Sequence, residues 1–291
     1  MRRASSIHLL TVLLGFAALS GCAGQAAWWK SKNTQARATL LSAGFTLLPQ
    51  NQIQPSLKAN ETPLLAALKL NSKAQFLTVF IEGDGAAWPK INVPPQDPTP
   101  QNPLALYLAV AYVAYPQETV AYLGRPCQYL SPTDLEGCPV QWWTIGRFGV
   151  APLALINDAI DSIKALNPSV RLRLVGYSGG GAIAALLAAQ RGDVACLVTV
   201  AAPLDTDAWT QAKNVSPLVD SLNPLNTAHD LKGISMSHLS GEKDTVVPPG
   251  TNRKFFKAAK SQDMPQGGFN HVWPWVQEWP ALARKTCLAE K

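Results

Sequence analysis

The sequence predicts an α/β protein built on a doubly wound, mostly parallel sheet with helices on both faces. Three observations carry this. Short apolar runs suited to strands alternate with helical segments of about 10 to 16 residues, the pattern of repeated βαβ units. The run Phe76-Leu77-Thr78-Val79-Phe80-Ile81 is almost continuously apolar, as a strand covered on both faces must be. The run Leu172-Arg173-Leu174-Val175 then passes through Gly176-Tyr177-Ser178-Gly179-Gly180 directly into the alanine-rich stretch from Gly181 to Ala189, a strand, a sharp turn and a helix.

Taken in order, the chain divides into 1–21, 22–38 and 39–291. Arg2 and Arg3 precede an apolar run from Ile7 to Leu19, and Leu19-Ser20-Gly21-Cys22 follows. A basic start, a short apolar core and small residues at the exit describe an export signal. The core of about 13 residues is shorter than the roughly 20 that a membrane span needs. The last four residues resemble the lipobox of bacterial lipoproteins. That resemblance implies lipidation of Cys22 and, with Ala23 rather than Asp next, an outer-membrane location facing the periplasm. An ordinary cleaved signal is the other reading. Residues 22–38, rich in Ala, Gln and Lys, read as a tether.

Within 39–291, apolar runs near Phe45–Leu48 and Leu64–Leu70 read as two leading strands, with Phe76–Ile81 next. Pro89 to Pro103 is too proline-dense for a helix or central strand. Leu104–Tyr115 reads as a buried helix and Thr119–Leu123 as a strand. Ala151–Leu166 forms a helix with Ile156, Ile160 and Ile163 on one face. After the elbow helix come the strand Val194–Val200, a mixed stretch 203–232 expected to be a small irregular cap, the strand Ile234–Leu239, and helices Thr251–Lys260 and Trp275–Leu288. One domain accounts for this length.

The formal charge of +6 falls to +4 without residues 1–21, which carry Arg2 and Arg3 and no acid. No Lys/Arg block interleaves with aromatics, so nucleic acid is not an expected partner. Charged residues are 15% of the chain and apolar ones 47%, enough apolar material for a sizeable core. Export allows disulfides. Cys127 and Cys138 bracket a turn-rich loop and are expected to pair. Cys196 and Cys287 either pair or remain small buried hydrophobes. Neither a metal nor a cofactor is expected.

Ser178 sits in a G-x-S-x-G pentapeptide between a strand and a helix, a turn that presents its hydroxyl to a cleft. Gly179, Gly181 and Ala184 also fit the dinucleotide pattern G-x-G-x-x-A. That pattern needs a carboxylate closing the next strand, and Asp193 instead precedes it. A serine nucleophile needs a base, itself oriented by a third group. Of the four histidines, His8 lies in the signal, while His229 and His238 precede the best acid. His271 lies on the glycine-rich run 267–272. Asp244, in Gly241-Glu242-Lys243-Asp244-Thr245-Val246-Val247-Pro248, falls just past a strand; Asp205 and Asp207 are reserve acids.

The order Ser178, Asp244, His271 resembles that of α/β-hydrolase fold serine hydrolases. The resemblance implies that Ser178 is the nucleophile, His271 the general base and then acid, and Asp244 the orienter of the imidazole. It implies an oxyanion hole from the backbone N–H of Gly179 and that of Asp84 (or Gly85), in a Glu82-Gly83-Asp84-Gly85 turn where many relatives carry His-Gly-x-Gly. Glu82 departs from that pattern and must point away or be paired. Trp273 and Trp275 suit an acyl pocket or simply the core. The expected activity is hydrolysis of an ester or related acyl bond in a small-molecule or lipid substrate. The second class of reading is a non-catalytic envelope lipoprotein that uses the fold for binding.

Overall fold

The computed structural model describes residues 32–53, 64–86, 93–113 and 118–289. The signal segment, Cys22, residues 22–31 of the expected tether and part of the proline-rich loop lie outside the described residues. In chain order the elements are α1 (32–42), β1 (Thr46–Leu47), α2 (Gln50–Ile53), β2 (Ala66–Lys69), β3 (Phe76–Ile81), α3 (Leu104–Tyr112), β4 (Thr119–Leu123), α4 (Pro132–Glu136), α5 (Val150–Lys164), β5 (Arg171–Tyr177), α6 (Gly179–Gln190), β6 (Val194–Val200), α7 (Thr206–Lys213), β7 (Ser235–Gly241), α8 (Arg253–Ala259), β8 (Asp263–Gln266) and α9 (Trp275–Ala283). Tight 3-10 turns occupy Val140–Trp143, Pro224–Leu231 and Cys287–Ala289.

The eight strands form one sheet in the order β1-β2-β4-β3-β5-β6-β7-β8. Strand β2 pairs antiparallel with both its neighbours, β1 and β4, and every other pairing is parallel. Alternation along the central strands builds two cores, because successive side chains leave a strand on opposite faces. Leu77, Val79 and Ile81 of β3 join Leu172 and Leu174 of β5 under α5, α6 and α8. Phe80 of β3 and Val175 of β5 join α1, α3 and α9 on the other face. Helix α6 is apolar all round and buried between β5, β6 and the 224–231 turn.

Arg173 points from β5 into the second face and is 2% exposed. A charge buried there must be paired. Its Nη1 donates to Glu118 Oε1 at 2.5 Å and to the Leu288 carbonyl at 3.1 Å, and the guanidinium lies over the Phe76 ring.

Three findings differ from the sequence reading. Residues 32–38, read as tether, are the first turns of α1, with Ala36 buried and Asn33 Nδ2 donating to the Tyr129 carbonyl at 2.8 Å. The 203–232 stretch, expected to be an irregular cap, resolves into two ordered pieces. Helix α7 leans on the 244–248 loop through Trp209 Nε1 to the Val246 carbonyl at 2.8 Å, and the 224–231 turn buries Ala228 and Leu231 in the core. Strand β8 carries no strand signal in the sequence, since Asp-Met-Pro-Gln is neither apolar nor alternating and Pro265 is tolerated only at a sheet edge. Trp275 is fully buried core, whereas Trp273 is 59% exposed.

Both disulfides are formed, Cys127–Cys138 as expected and Cys196–Cys287, which the sequence left open.

Candidate active site

Strand β5 carries the chain to Ser178, which adopts φ 51° and ψ −125°, a region that a non-glycine residue occupies only when its surroundings force it. Tight packing does the forcing. Gly180 lies against the Ile81 and Glu82 carbonyls, where a Cβ would collide, and a Cβ on Gly179 would collide with the Asp84 carboxylate. These two glycines let the turn after β3 close onto the start of α6. The N–H of Gly179 opens the first turn of that helix, where no backbone acceptor is available within the helix.

The three residues that the sequence singled out meet here. Ser178 Oγ is 3.1 Å from His271 Nε2, and His271 Nδ1 is 2.8 Å from Asp244 Oδ2. Asp244 is 3% exposed, just past the end of β7, and its Oδ1 accepts from the N–H groups of Val246 and Val247, each at 2.8 Å. A carboxylate only accepts, so Nδ1 carries the imidazole proton and Nε2 presents a lone pair to the serine hydroxyl. Two aromatics hold the His271 loop by its backbone. Tyr177 Oη donates to the His271 carbonyl at 3.0 Å, and Trp275 Nε1 donates to the Asn270 and His271 carbonyls at 2.9 and 3.1 Å.

The reserve acids go elsewhere. Asp205 caps α7 by accepting from Ala208 N at 3.1 Å, and Asp207 accepts from Asn223. His229 is exposed beside Asp230. His238 is buried in β7 with Nδ1 at 2.9 Å from Thr199 Oγ1, and burial pushes its pKa down to about 4. Asp193, which the dinucleotide reading would need beyond β6, sits before it and is paired with Lys164 and Arg191. Burial opposes its charge and the two cations more than compensate, holding it at about 2. Among the described residues no group of three or more His, Cys, Asp or Glu side chains is arranged to hold a metal ion.

Glu82 points away from the elbow. Its carboxyl accepts from Gly83 N at 2.9 Å, from Ala105 and Leu106 N at 3.3 Å in the first turn of α3, and from Tyr122 Oη at 3.1 Å. Burial raises its pKa, and these donors only partly offset that. Asp84 stands over Gly179 with one carboxylate oxygen on each of two arginines, Arg125 at 3.1 Å and Arg147 at 3.0 Å. Nothing local in the sequence signalled these arginines, which lie 41 and 63 residues from Asp84.

Neither protein-family models nor curated proteins match the sequence. Solved structures do match in shape. An esterase from Pyrococcus furiosus superposes with a TM-score of 0.57 at 13% identity, over 84% of this chain and 90% of that one. Est1E from Butyrivibrio proteoclasticus gives 0.56 at 11%, over 83% and 96%. A lidless α/β serine hydrolase from Xanthomonas campestris gives 0.53 at 13%, over 83% and 94%. At such identities the likeness is one of fold: the chain has an α/β-hydrolase-like architecture, an eight-stranded, mostly parallel sheet flanked by helices.

Proposed function

We propose that the protein is a serine hydrolase that cleaves an ester or related acyl bond through Ser178, His271 and Asp244. The observation that carries this reading is the unbroken relay from Ser178 Oγ to His271 Nε2 at 3.1 Å and from His271 Nδ1 to Asp244 Oδ2 at 2.8 Å, set on a strained elbow. The fold's likeness to esterases and serine hydrolases supports it. A binding module has no use for a serine held in strained backbone against an oriented imidazole.

In this mechanism Ser178 Oγ attacks the acyl carbon as its proton passes to His271 Nε2, and Asp244 stabilises the imidazolium. The carbonyl oxygen becomes an oxyanion that accepts from the N–H groups of Gly179 and Asp84. When the tetrahedral adduct collapses, the proton on Nε2 goes to the departing alkoxide and the acyl group stays on Ser178. Water, deprotonated by His271, then attacks the acyl-enzyme. The acid leaves, and the proton returns to Ser178 Oγ. The test is hydrolysis of 4-nitrophenyl esters of graded acyl length by the wild type, Ser178→Ala and His271→Ala. The reading expects turnover by the wild type and loss in both variants; equal rates in all three would overturn it.

We further propose that the chain is exported, lipidated at Cys22 and held on the periplasmic face of the outer membrane. Support comes from the Leu19-Ser20-Gly21-Cys22 motif behind a short apolar core. Acyl chains contribute about 0.8 kcal/mol per buried CH₂, so a multiply acylated Cys22 would anchor firmly. Incorporation of labelled palmitate into the wild type and not into Cys22→Ser is the expected result; label retained in the variant would overturn the assignment.

A further inference from the structure

We propose that Gln128, Arg125 and Arg147 are positioning residues for this hydrolysis, fixing the Gly83–Asp84 peptide so that its N–H serves as the second oxyanion donor. This rests on the serine hydrolase reading above. Oxyanion stabilisation depends on donors already aimed before charge develops. The Gly179 N–H is held by a helix, but the Asp84 N–H belongs to a turn, and a turn alone offers no such rigidity.

Three side chains from one stretch, 125–147, supply the rigidity. Gln128 is 1% exposed; its Nε2 donates to the Gly83 carbonyl at 3.0 Å while its Oε1 accepts from Arg125 N at 3.0 Å. In a trans peptide the carbonyl and the following N–H point in opposite directions, so bonding the Gly83 carbonyl to Gln128 aims the Asp84 N–H away from Gln128. The Asp84 carboxylate is fixed at both oxygens, by Arg125 Nη1 at 3.1 Å and Arg147 Nη1 at 3.0 Å. The clamp is closed on itself. Arg125 Nη2 donates to the Arg147 carbonyl, and Arg147 Nε donates to the Thr144 carbonyl at 2.6 Å. The Cys127–Cys138 disulfide ties the stretch across its base, and Tyr129 N bonds Thr99 Oγ1 at 2.7 Å to dock it.

Stability alone does not explain the arrangement. The side chains of Arg125 and Arg147 are only 5% and 11% exposed, and a buried ion cluster is often no more stabilising than apolar packing of the same volume. Its position is what distinguishes it: the bridged carboxylate lies directly against Gly179, the residue after the nucleophile.

The experiment measures kcat and KM on one 4-nitrophenyl ester for the wild type, Gln128→Leu, Arg147→Met, Arg147→Lys, Asp84→Asn and the Asp84→Asn/Arg147→Met double variant. Rates are normalised to active centres counted by fluorophosphonate titration. Losing an oxyanion donor costs about 10²–10³ in kcat. Misaiming it is expected to lower kcat roughly 10- to 100-fold in Gln128→Leu and Arg147→Met with KM within about threefold. Arg147→Lys should recover part of the loss. Because Arg147 acts through Asp84, the double variant should be no slower than the worse single one. Unchanged kcat per active centre, or losses that multiply in the double variant, would overturn the proposal. If Gln128→Leu does not fold, the Arg147 pair decides, with kcat lowered in Arg147→Met and recovered in part by Arg147→Lys expected, and wild-type kcat in Arg147→Met contradicting. A wild type that neither turns over nor reacts with the fluorophosphonate overturns the hydrolase reading itself, whereas an active wild type with indifferent variants overturns only this inference.

Discussion

Asp244 faces His271 with one oxygen and its own loop with the other: Oδ2 lies 2.8 Å from His271 Nδ1, and Oδ1 takes the N–H groups of Val246 and Val247. The carboxylate therefore cannot rotate without losing two backbone bonds, and the imidazole is held in a single tautomer.

Asp244→Asn tests that relationship. The amide oxygen can keep the two backbone donors, leaving its NH₂ toward His271 Nδ1. That demands a lone pair on Nδ1 and moves the imidazole proton to Nε2, where it can no longer accept from Ser178. We expect kcat to fall about 10⁴-fold with little change in Tm, the size of loss seen when a triad carboxylate becomes an amide. Steady-state kinetics and a thermal melt check both halves.

Gly180→Ala should damage the elbow. The new methyl would collide with the Ile81 and Glu82 carbonyls, both part of rigid backbone at the end of β3. Overpacking of this kind costs about 1–3 kcal/mol. Urea unfolding of the variant is expected to show a midpoint lowered accordingly.

Cys196 and Cys287 join β6 to the Cys287–Ala289 turn across 91 residues. Replacing both by alanine is expected to cost about 2–5 kcal/mol in denaturant unfolding. Activity per folded molecule should persist, because the pair is buried in the core beneath α9 and not at the elbow.

His238 gives stability a pH dependence of definite sign. Burial lowers its pKa to about 4 in the folded protein, against about 6.5 when unfolded. Between those values the unfolded chain binds a proton that the folded one refuses, so stability falls as pH drops from about 6.5 to 4 and this contribution is lost below that. Thr199, Phe255 and Phe256 pack around His238, and Asp263 of β8 lies opposite it in the sheet. Over the whole window the loss amounts to roughly 3 kcal/mol. His238→Gln should flatten the Tm-against-pH curve across this interval.

The parts of this molecule that were legible in the sequence are those whose cause is local. Strands β3, β5 and β6 announce themselves because both faces are covered, and the elbow because strand, serine and helix are contiguous. Asp244 and His271 could be chosen because each follows or lies on a recognisable loop in the right order. Strand β8 escaped because an edge strand with Pro265 needs neither apolar alternation nor a full set of N–H donors. Helix α1 escaped because Asn33, Gln35 and Arg37 read as solvated chain, although Ala36 and Leu40 are buried. The arginine clamp on Asp84 escaped for a different reason. Its partners are brought together only by the crossover from β4 through the disulfide loop, and no spacing encodes that.

The most direct test of the account is the site of covalent modification by a fluorophosphonate probe, read by peptide mass spectrometry on the full chain. One adduct per molecule is expected, on Ser178, lost in Ser178→Ala and sharply slowed in His271→Ala. An adduct on another residue, or a folded wild type that takes up none, would contradict it.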